Sequence, residues 1–342
     1  MTIEADIDQR LIAVLRDSTG LPALAYARQP ESLAGGFWAD LVAFSLVDPP
    51  PGWPRDLVAR MMPDAAIARK ETIIQSAVAA AGFPTPQVRA AGDQDSGLGR
   101  AFMVMDRAPG TALLPALSGP AVLAGAVRTA RRIPEVLASA MARLHALDPA
   151  PVRDVVGQAG AAPVTIDGML KVIAELAAGY QRPDLAAASG WLINHPAPPT
   201  PEVICHGDLH PFNLLADDRQ FTVLDWSAAL LAPRAYDVAF TALMLAEPPL
   251  DVPGQLRQVV RRTGRRLAGH FARRYQALAG ADISAADLRW HQAVVCLRSL
   301  TDVASWVHGG ELSQRAGHPW LISGEAMAAL LSAVTGTAVR SR

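Results

Sequence analysis

Apolar positions change their period several times along the chain. Ile7, Leu11, Ile12 and Leu15 recur at helical spacing, which predicts a leading helix to about Arg16, closed by Asp17-Ser-Thr-Gly20. From Leu24 to Met61 short apolar runs (Leu33–Ala34, Leu41–Val47, Leu57–Met61) alternate with turn formers, and the Pro-rich stretch from Asp48 to Pro54 reads as a hairpin tip. Ala65–Ala81 is helical in composition. Val88–Ala91 and Ala101–Asp106 read as two more strands, joined by the turn-forming Gly92–Gly99. Pro109-Gly110 marks a boundary. Beyond it helices are predicted at Val122–Arg132, Pro134–Leu147, Ile166–Tyr180, Leu185–Asn194, Ala235–Leu245, Leu256–Leu278, Ala285–Val307 and Gly324–Val334, with Pro149–Pro163 and Pro196–Pro201 as loops. One β-like interruption falls among them: Glu202–Cys205 and Phe221–Asp225 flank His206–Leu215. No internal repeat is visible. The pattern therefore predicts an α+β, bilobal chain: a helix and a small β-rich lobe over residues 1–107, then a larger, mainly helical lobe over residues 108–342.

Composition narrows the classes open to such a chain. Its 342 residues are 51% hydrophobic and 18% charged, enough apolar material for a sizeable core and too much for global disorder. The net charge of -1 supplies no basic excess for nucleic acid or an anionic membrane. Cys205 and Cys296 are the two cysteines, which excludes a disulfide framework and a Cys-based zinc module. The polar, acidic stretch Met1 to Arg10 does not read as a secretory signal, and apolar runs such as Val238–Ala246 are about half the ~20 residues that span a bilayer. A soluble cytoplasmic protein is expected. Lys70 and Lys171 are the only lysines among 31 basic residues, which limits where a phosphate-binding lysine can lie.

The polar interruption carries the chemistry. It runs Val203-Ile-Cys-His-Gly-Asp-Leu-His-Pro-Phe-Asn-Leu-Leu215, followed by Phe221-Thr-Val-Leu-Asp-Trp-Ser227. Apolar strands that end in carboxylates offer rigid supports and hard oxygen ligands for a divalent cation. Phosphoryl transfer from a nucleotide needs a carboxylate to accept the acceptor's proton, oxygen ligands for Mg²⁺, a cation for the phosphates and a glycine turn where backbone approaches them. A candidate exists for each: Asp208 as the base, Asn213 and Asp225 as metal ligands, Arg60 as the cation, and Gly35-Gly36 as the turn.

The loop His206-Gly-Asp-Leu-His-Pro-Phe-Asn213 resembles the catalytic loop of the aminoglycoside phosphotransferase and choline kinase-like enzymes, which share the protein-kinase-like fold. The likeness runs through nearly the whole chain. Leu33-Ala-Gly-Gly36 stands where that family has its nucleotide loop, and Leu57-Val-Ala-Arg60 at its basic third strand. Lys70-Glu71 opens the helix whose Glu pairs with that base. Phe102-Met-Val-Met-Asp106 is similar to the interlobe hinge, which implies a nucleotide contact at Met105. Met141-Ala-Arg-Leu-His145 resembles the helix before the catalytic loop, and Tyr236-Asp237 the pair after the second metal carboxylate. The resemblance implies Mg²⁺, ATP or GTP as co-substrate, and a small-molecule hydroxyl as acceptor. His206 is then read as a buried imidazole fixing the loop, His210 as either a phosphate contact or a packing residue, and Asp237 as a structural residue at a helix start. The chain departs from the family pattern at Arg60, which replaces lysine, and at the aromatics Phe37-Trp38, which follow the glycines; Trp226-Ser227, where protein kinases have Phe-Gly after the metal Asp, is ordinary for the family.

Two other classes use the same residues. His206, Asp208 and His210 at i, i+2 and i+4 suit a His/Asp metal cluster of a hydrolase on an extended segment. A kinase-like binding protein without turnover is the second. For the acceptor, charge is the guide. From Val252 onward arginines outnumber carboxylates 12 to 5, and Asp282, Asp287, Asp302, Glu311 and Glu325 are scattered in sequence. A neutral or apolar alcohol is therefore the leading expectation, with an aminoglycoside or other antibiotic second.

Overall fold

The computed structural model describes residues 6–33, 39–113, 121–158, 165–216, 220–248 and 254–342. The chain forms two compact units. One comprises residues 1–111, 150–162 and 215–228, the other 112–149, 163–214 and 229–342.

The first unit is built on a five-stranded antiparallel sheet. Its strands are β1 (Ala25–Ser32), β2 (Asp40–Val47), β3 (Asp56–Met62), β4 (Val88–Gly92) and β5 (Ala101–Asp106), in the order β1-β2-β3-β5-β4. The Pro-rich tip joins β2 to β3, whose register pairs Leu41 with Arg60. Two-residue alternation sorts the side chains by face. Leu57, Ala59 and Met61 of β3 and Phe102 and Val104 of β5 cluster with Ile7, Leu11, Ile12 and Leu15 of helix α1 (Ile7–Thr19). Met62, Ala101 and Met103 instead meet Ala68 of helix α2 (Ala65–Ala80). Arg60, in phase with Met62, therefore points to the α2 side. Asp64 caps α2 by accepting from Ala66 N and Ile67 N at 2.8 and 3.0 Å.

The strand β1 is a difference from the sequence reading. Its residues Ala-Tyr-Ala-Arg-Gln-Pro-Glu-Ser are half-buried or exposed, and its pairing with β2 is interrupted by register shifts. A polar edge strand holding a proline shows no alternation to read.

The second unit is mainly helical. The short β6 (Thr111–Ala112) precedes helix α3 (Ala121–His145), and α4 (Ala150–Gln158) belongs to the first unit. Then come α5 (Ile166–Gly179), α6 (Pro183–Asn194) and β7 (Glu202–Cys205). Strands β8 (Leu214–Ala216) and β9 (Phe221–Val223) pair with each other and, but for Leu214, belong to the first unit; β10 (Leu230–Pro233) pairs antiparallel with β7. The chain closes with α7 (Arg234–Ala246), α8 (Gly254–Ala279), α9 (Ala285–His308) and α10 (Pro319–Thr335). Every residue of α7 from Ala235 to Leu245 is buried, Asp237 and Thr241 among them, so this helix is enclosed on every side and central to the unit. Among the described residues no helix is long and apolar enough to cross a membrane.

Two expectations are corrected here. Val122–Arg132 and Pro134–Leu147 form one helix, α3, which runs through Pro134. Pro149–Pro163 is not all loop, since α4 occupies Ala150–Gln158 and buries Val152 and Val156 one turn apart.

The carboxyl-terminal segment is pinned by charge. Arg182 forks onto Asp184 with both bonds at 2.8 Å and donates to Arg340 O at 2.7 Å, while Arg340 N donates to Asp184 at 3.0 Å. Burial pushes the Asp184 carboxyl up, but the Arg182 fork and the Arg340 N–H outweigh it and hold it down at about 2. A carboxyl lowered in the folded state contributes stability above its unfolded pKa, and that stability is lost as pH falls through the folded value. Asp184→Asn is expected to lower the denaturant midpoint at neutral pH, with the gap from wild type closing between about pH 4 and 2. A gap of constant size across that range would contradict the pairing. A second expectation concerns α7 and α8. A Cβ at Gly264 would run into Leu245 O. Gly264→Ala, ordinarily helpful inside a helix, should here cost about 1–3 kcal/mol in urea unfolding.

Candidate active site

Of the candidate residues of the first unit, Glu71 and Asp225 meet at one buried cation, Arg60. Arg60 is 6% exposed on β3. Its Nε lies 3.4 Å from Glu71 Oε1, and its Nη2 donates to Asp225 Oδ1 at 3.0 Å. Ser227 also serves Asp225 Oδ1, through Oγ at 2.7 Å and N at 3.3 Å. Asp225 has a φ of 65°, a left-handed conformation that Asp tolerates better than most residues. Next to it Trp226 is fully buried. Its N donates to Glu71 Oε1 at 3.2 Å and its Nε1 to Thr85 Oγ1 at 2.9 Å, while Thr85 donates to Val223 O at 2.9 Å. Strand β9 and the carboxylate beyond it are thus fastened to the sheet unit by α2 and the Thr85 loop. Burial pushes the Glu71 carboxyl up to about 7, against the lowering pull of Arg60. Met105 lies half-buried on β5, where Gln75 Nε2 approaches its Sδ at 3.5 Å. Gly35, Gly36, Phe37 and Trp38 lie outside the described residues.

The second unit assembles the loop. Asn213 Nδ2 donates both to Asp208 O at 2.9 Å and to Asp208 Oδ2 at 3.1 Å. With its NH₂ turned to Asp208, the amide has Oδ1 as its oxygen ligand. Hard oxygens from Asn213 and Asp225 suit Mg²⁺ in kind. His210 caps the 3₁₀ turn Pro211–Asn213 by accepting from Phe212 N at Nδ1, 3.2 Å, and its Nε2 lies 3.6 Å from Asp208 Oδ2. His206 is fully buried, and its Nδ1 accepts from Asp208 N at 3.3 Å.

Beneath the loop lies Asp237, fully buried in the first turn of α7. It accepts from His206 N at 2.8 Å, Gly207 N at 2.7 Å and His145 Nε2 at 3.1 Å. Burial raises its carboxyl, but the His145 hydrogen bond and the Gly207 N–H prevail, so it stays below its ordinary value. Thr241 donates to Leu209 O at 2.7 Å. Arg298 of α9 donates to Gly207 O at 3.0 Å and to Tyr236 Oη at 2.8 Å.

Sequence reasoning does not assign Arg298, Tyr275 or a site role for Asp302. A signal exists for the first: Arg298 interrupts the apolar run Ala293-Val-Val-Cys-Leu297 and Leu300. Asp302 follows one helical turn later. Burial pushes its carboxyl up to about 6, Arg298 opposes the shift, the charge of Asp208 adds to it, and Trp320 donates a hydrogen bond to it. Trp320 lies 5.7 Å from His318, which stands edge-on to Trp306 at 4.5 Å.

A metal cluster of the hydrolase type does not form from His206, Asp208 and His210. Among the described residues the one group of three ligand-type side chains is His145, Cys205 and Asp237, all buried. There Cys205 Sγ lies 3.6 Å from Ala232 O, burial holds the thiol well above its ordinary pKa, and the imidazole and carboxylate are committed to hydrogen bonds. That group reads as loop scaffolding.

No curated protein matches the chain. The model of a family described as a phosphotransferase enzyme family matches residues 43–282, well over half of it. Among solved structures, a thermostable mutant of aminoglycoside phosphotransferase APH(4)-Ia in ternary complex with AMP-PNP and hygromycin B is similar, at a TM-score of 0.61 and 18% identity over 97% of this chain and 100% of that one. A macrolide 2'-phosphotransferase type I gives 0.56 and 17% over 98% and 99%. An aminoglycoside phosphotransferase in complex with GDP and kanamycin gives 0.55 and 18% over 95% and 98%. At these identities the likeness is one of fold, and it is the kinase-like α+β fold. With the family match spanning β2 to α8, the chain belongs to the phosphotransferase enzyme family and is a phosphotransferase.

Proposed function

We propose that this chain transfers the γ-phosphoryl group of ATP or GTP to a hydroxyl of a small molecule. The observation that carries this reading is the coupling of Asp208 to Asn213 through two hydrogen bonds, which presents a carboxylate and an amide oxygen from one short loop. In the reaction the acceptor oxygen bonds to the γ-phosphorus, the bond from that phosphorus to the bridging oxygen breaks, and the nucleoside diphosphate leaves. Asp208 orients the acceptor hydroxyl and takes its proton. Asn213 and Asp225 are the residues for Mg²⁺, which when bound would neutralise phosphate charge. Arg60, held by Glu71, is the phosphate cation; Gly35, Gly36 and Met105 complete the nucleotide set. His210, whose Nε2 lies 3.6 Å from Asp208 Oδ2, is the imidazole that would contact the transferred group, while His206 and Asp237 serve the loop's shape.

For the acceptor we retain a neutral or apolar alcohol as the first reading, on the arginine excess of the last third of the chain. A second reading, an antibiotic carrying a basic amine, is supported by Asp302. This carboxylate feels the charge of Asp208 and is approached by the Trp320 side chain, an acidic and aromatic setting that suits one ammonium group.

Asp208→Ala should lower kcat by roughly 10²–10⁴ in a coupled nucleotide-consumption assay while leaving nucleotide affinity near wild type; undiminished turnover would remove Asp208 from the reaction. A panel of aminoglycosides, macrolides, sugars, amino alcohols and apolar alcohols separates the acceptor readings. With an amine-bearing acceptor, Asp302→Asn should raise KM by about tenfold, equivalent to about 1.4 kcal/mol, and a KM equal to wild type would favour the neutral alcohol.

A further inference from the structure

The Asp237 carboxylate beneath the loop is the last member of a longer polar chain. His145 Nε2 approaches it at 3.1 Å, and the other ring nitrogen, Nδ1, lies 2.7 Å from Tyr275 Oη of α8. His145, Tyr275 and Asp237 are all buried. The carboxylate end of this chain fixes its direction. An ionised carboxylate only accepts, so the ring proton sits on Nε2, facing Asp237. The bare Nδ1 is then the acceptor for the single proton of the Tyr275 hydroxyl. The opposite tautomer would set a lone pair against a buried anion, and a doubly protonated ring would leave the buried hydroxyl proton without this acceptor. Donation thus runs one way: Tyr275, His145, Asp237.

What Asp237 does with that support decides how Asp208 is aimed. Its two oxygens accept the backbone N–H groups of His206 and Gly207, at 2.8 and 2.7 Å, and Arg298 takes the Gly207 carbonyl from the other side. Gly207 has a φ of 75°, so the direction in which the chain enters Asp208 depends on a residue with little conformational preference of its own. Both of its backbone polar groups are clamped instead.

We propose that Tyr275 is a positioning residue for the catalytic base: its hydroxyl fixes the His145 tautomer through which Asp237 holds the Gly207 backbone and hence the aim of Asp208. This rests on the reading of Asp208 as that base. The test uses the full chain labelled with ¹⁵N-histidine, with His145 assigned by its loss in His145→Gln. Two-bond ¹H–¹⁵N correlations should show a proton on Nε2 and a bare Nδ1; a proton on Nδ1 overturns the proposal and needs no variant to detect. Tyr275→Phe keeps the ring that packs edge-on to His145 at 5.5 Å and removes only the hydroxyl. It should lower kcat about 3- to 10-fold, the range of one neutral hydrogen bond, leave the KM for Mg·ATP within about 2-fold, and shift the His145 ring signals. An active wild type whose Tyr275→Phe variant keeps full kcat, or whose His145 signals do not move, sinks this proposal alone. A wild type that turns over no acceptor in the panel sinks the phosphotransfer reading itself, and this proposal with it.

Discussion

A single buried anion organises the helical unit. Asp237 has no contact with water, and an isolated carboxylate in that position would be neutralised or expelled. It persists because two backbone N–H groups and an imidazole surround it, and that requirement works in both directions. The groups that satisfy Asp237 are the backbone of the loop before Asp208, so the loop cannot relax without stranding a charge. Breaking such an arrangement costs far more than forming it yields, which is why a buried ion suits a device for shape better than one for stability. The pattern of buried residues agrees: α7, which carries Asp237, is enclosed on every side.

The sheet unit is organised around a charge of the opposite sign. Arg60 stands between Glu71 and Asp225, where two carboxylates face one guanidinium. The planar fork of arginine can meet both at once, which the point charge of lysine does less well. The substitution of Arg for the family's lysine is therefore compatible with the cluster's geometry. It ties the carboxylate after β9 to the strand that bears the cation, and the backbone of Trp226 completes the link to α2.

Much of this architecture is legible in the chain itself, and the exceptions have physical causes. The helices of the second unit follow from 3.6-residue periodicity over long segments, and β2, β3 and β5 from dense apolar runs. Strand β1 escapes because it is polar and lies at an edge, and α4 because only Val152 and Val156 mark its buried side. Pro134 suggests a break that the packing of α3 overrides. At the candidate site, motif spacing suffices to join Asp208 with Asn213 and to nominate Arg60, Glu71 and Asp225. It cannot reach Tyr275, Arg298 or Asp302: Tyr275 gains its significance from His145, 130 residues earlier, and Arg298 and Asp302 gain theirs when α9 comes beside the loop, with Arg298 on Gly207, 91 residues earlier. Charge counting over the last third of the sequence treats Asp302 as one of several scattered carboxylates, whereas the fold sets it within the electrostatic reach of Asp208.

The two cysteines have a practical consequence of their own. Cys205 lies on β7 and Cys296 in the middle of α9; neither has any exposed surface, and burial keeps both as protonated thiols. Oxidants and alkylating reagents act on exposed thiolates. Both sulfurs belong to the helical unit, so the rate at which they become alkylated reports the opening of that unit by itself, a pair of native probes that leaves the sheet unit silent.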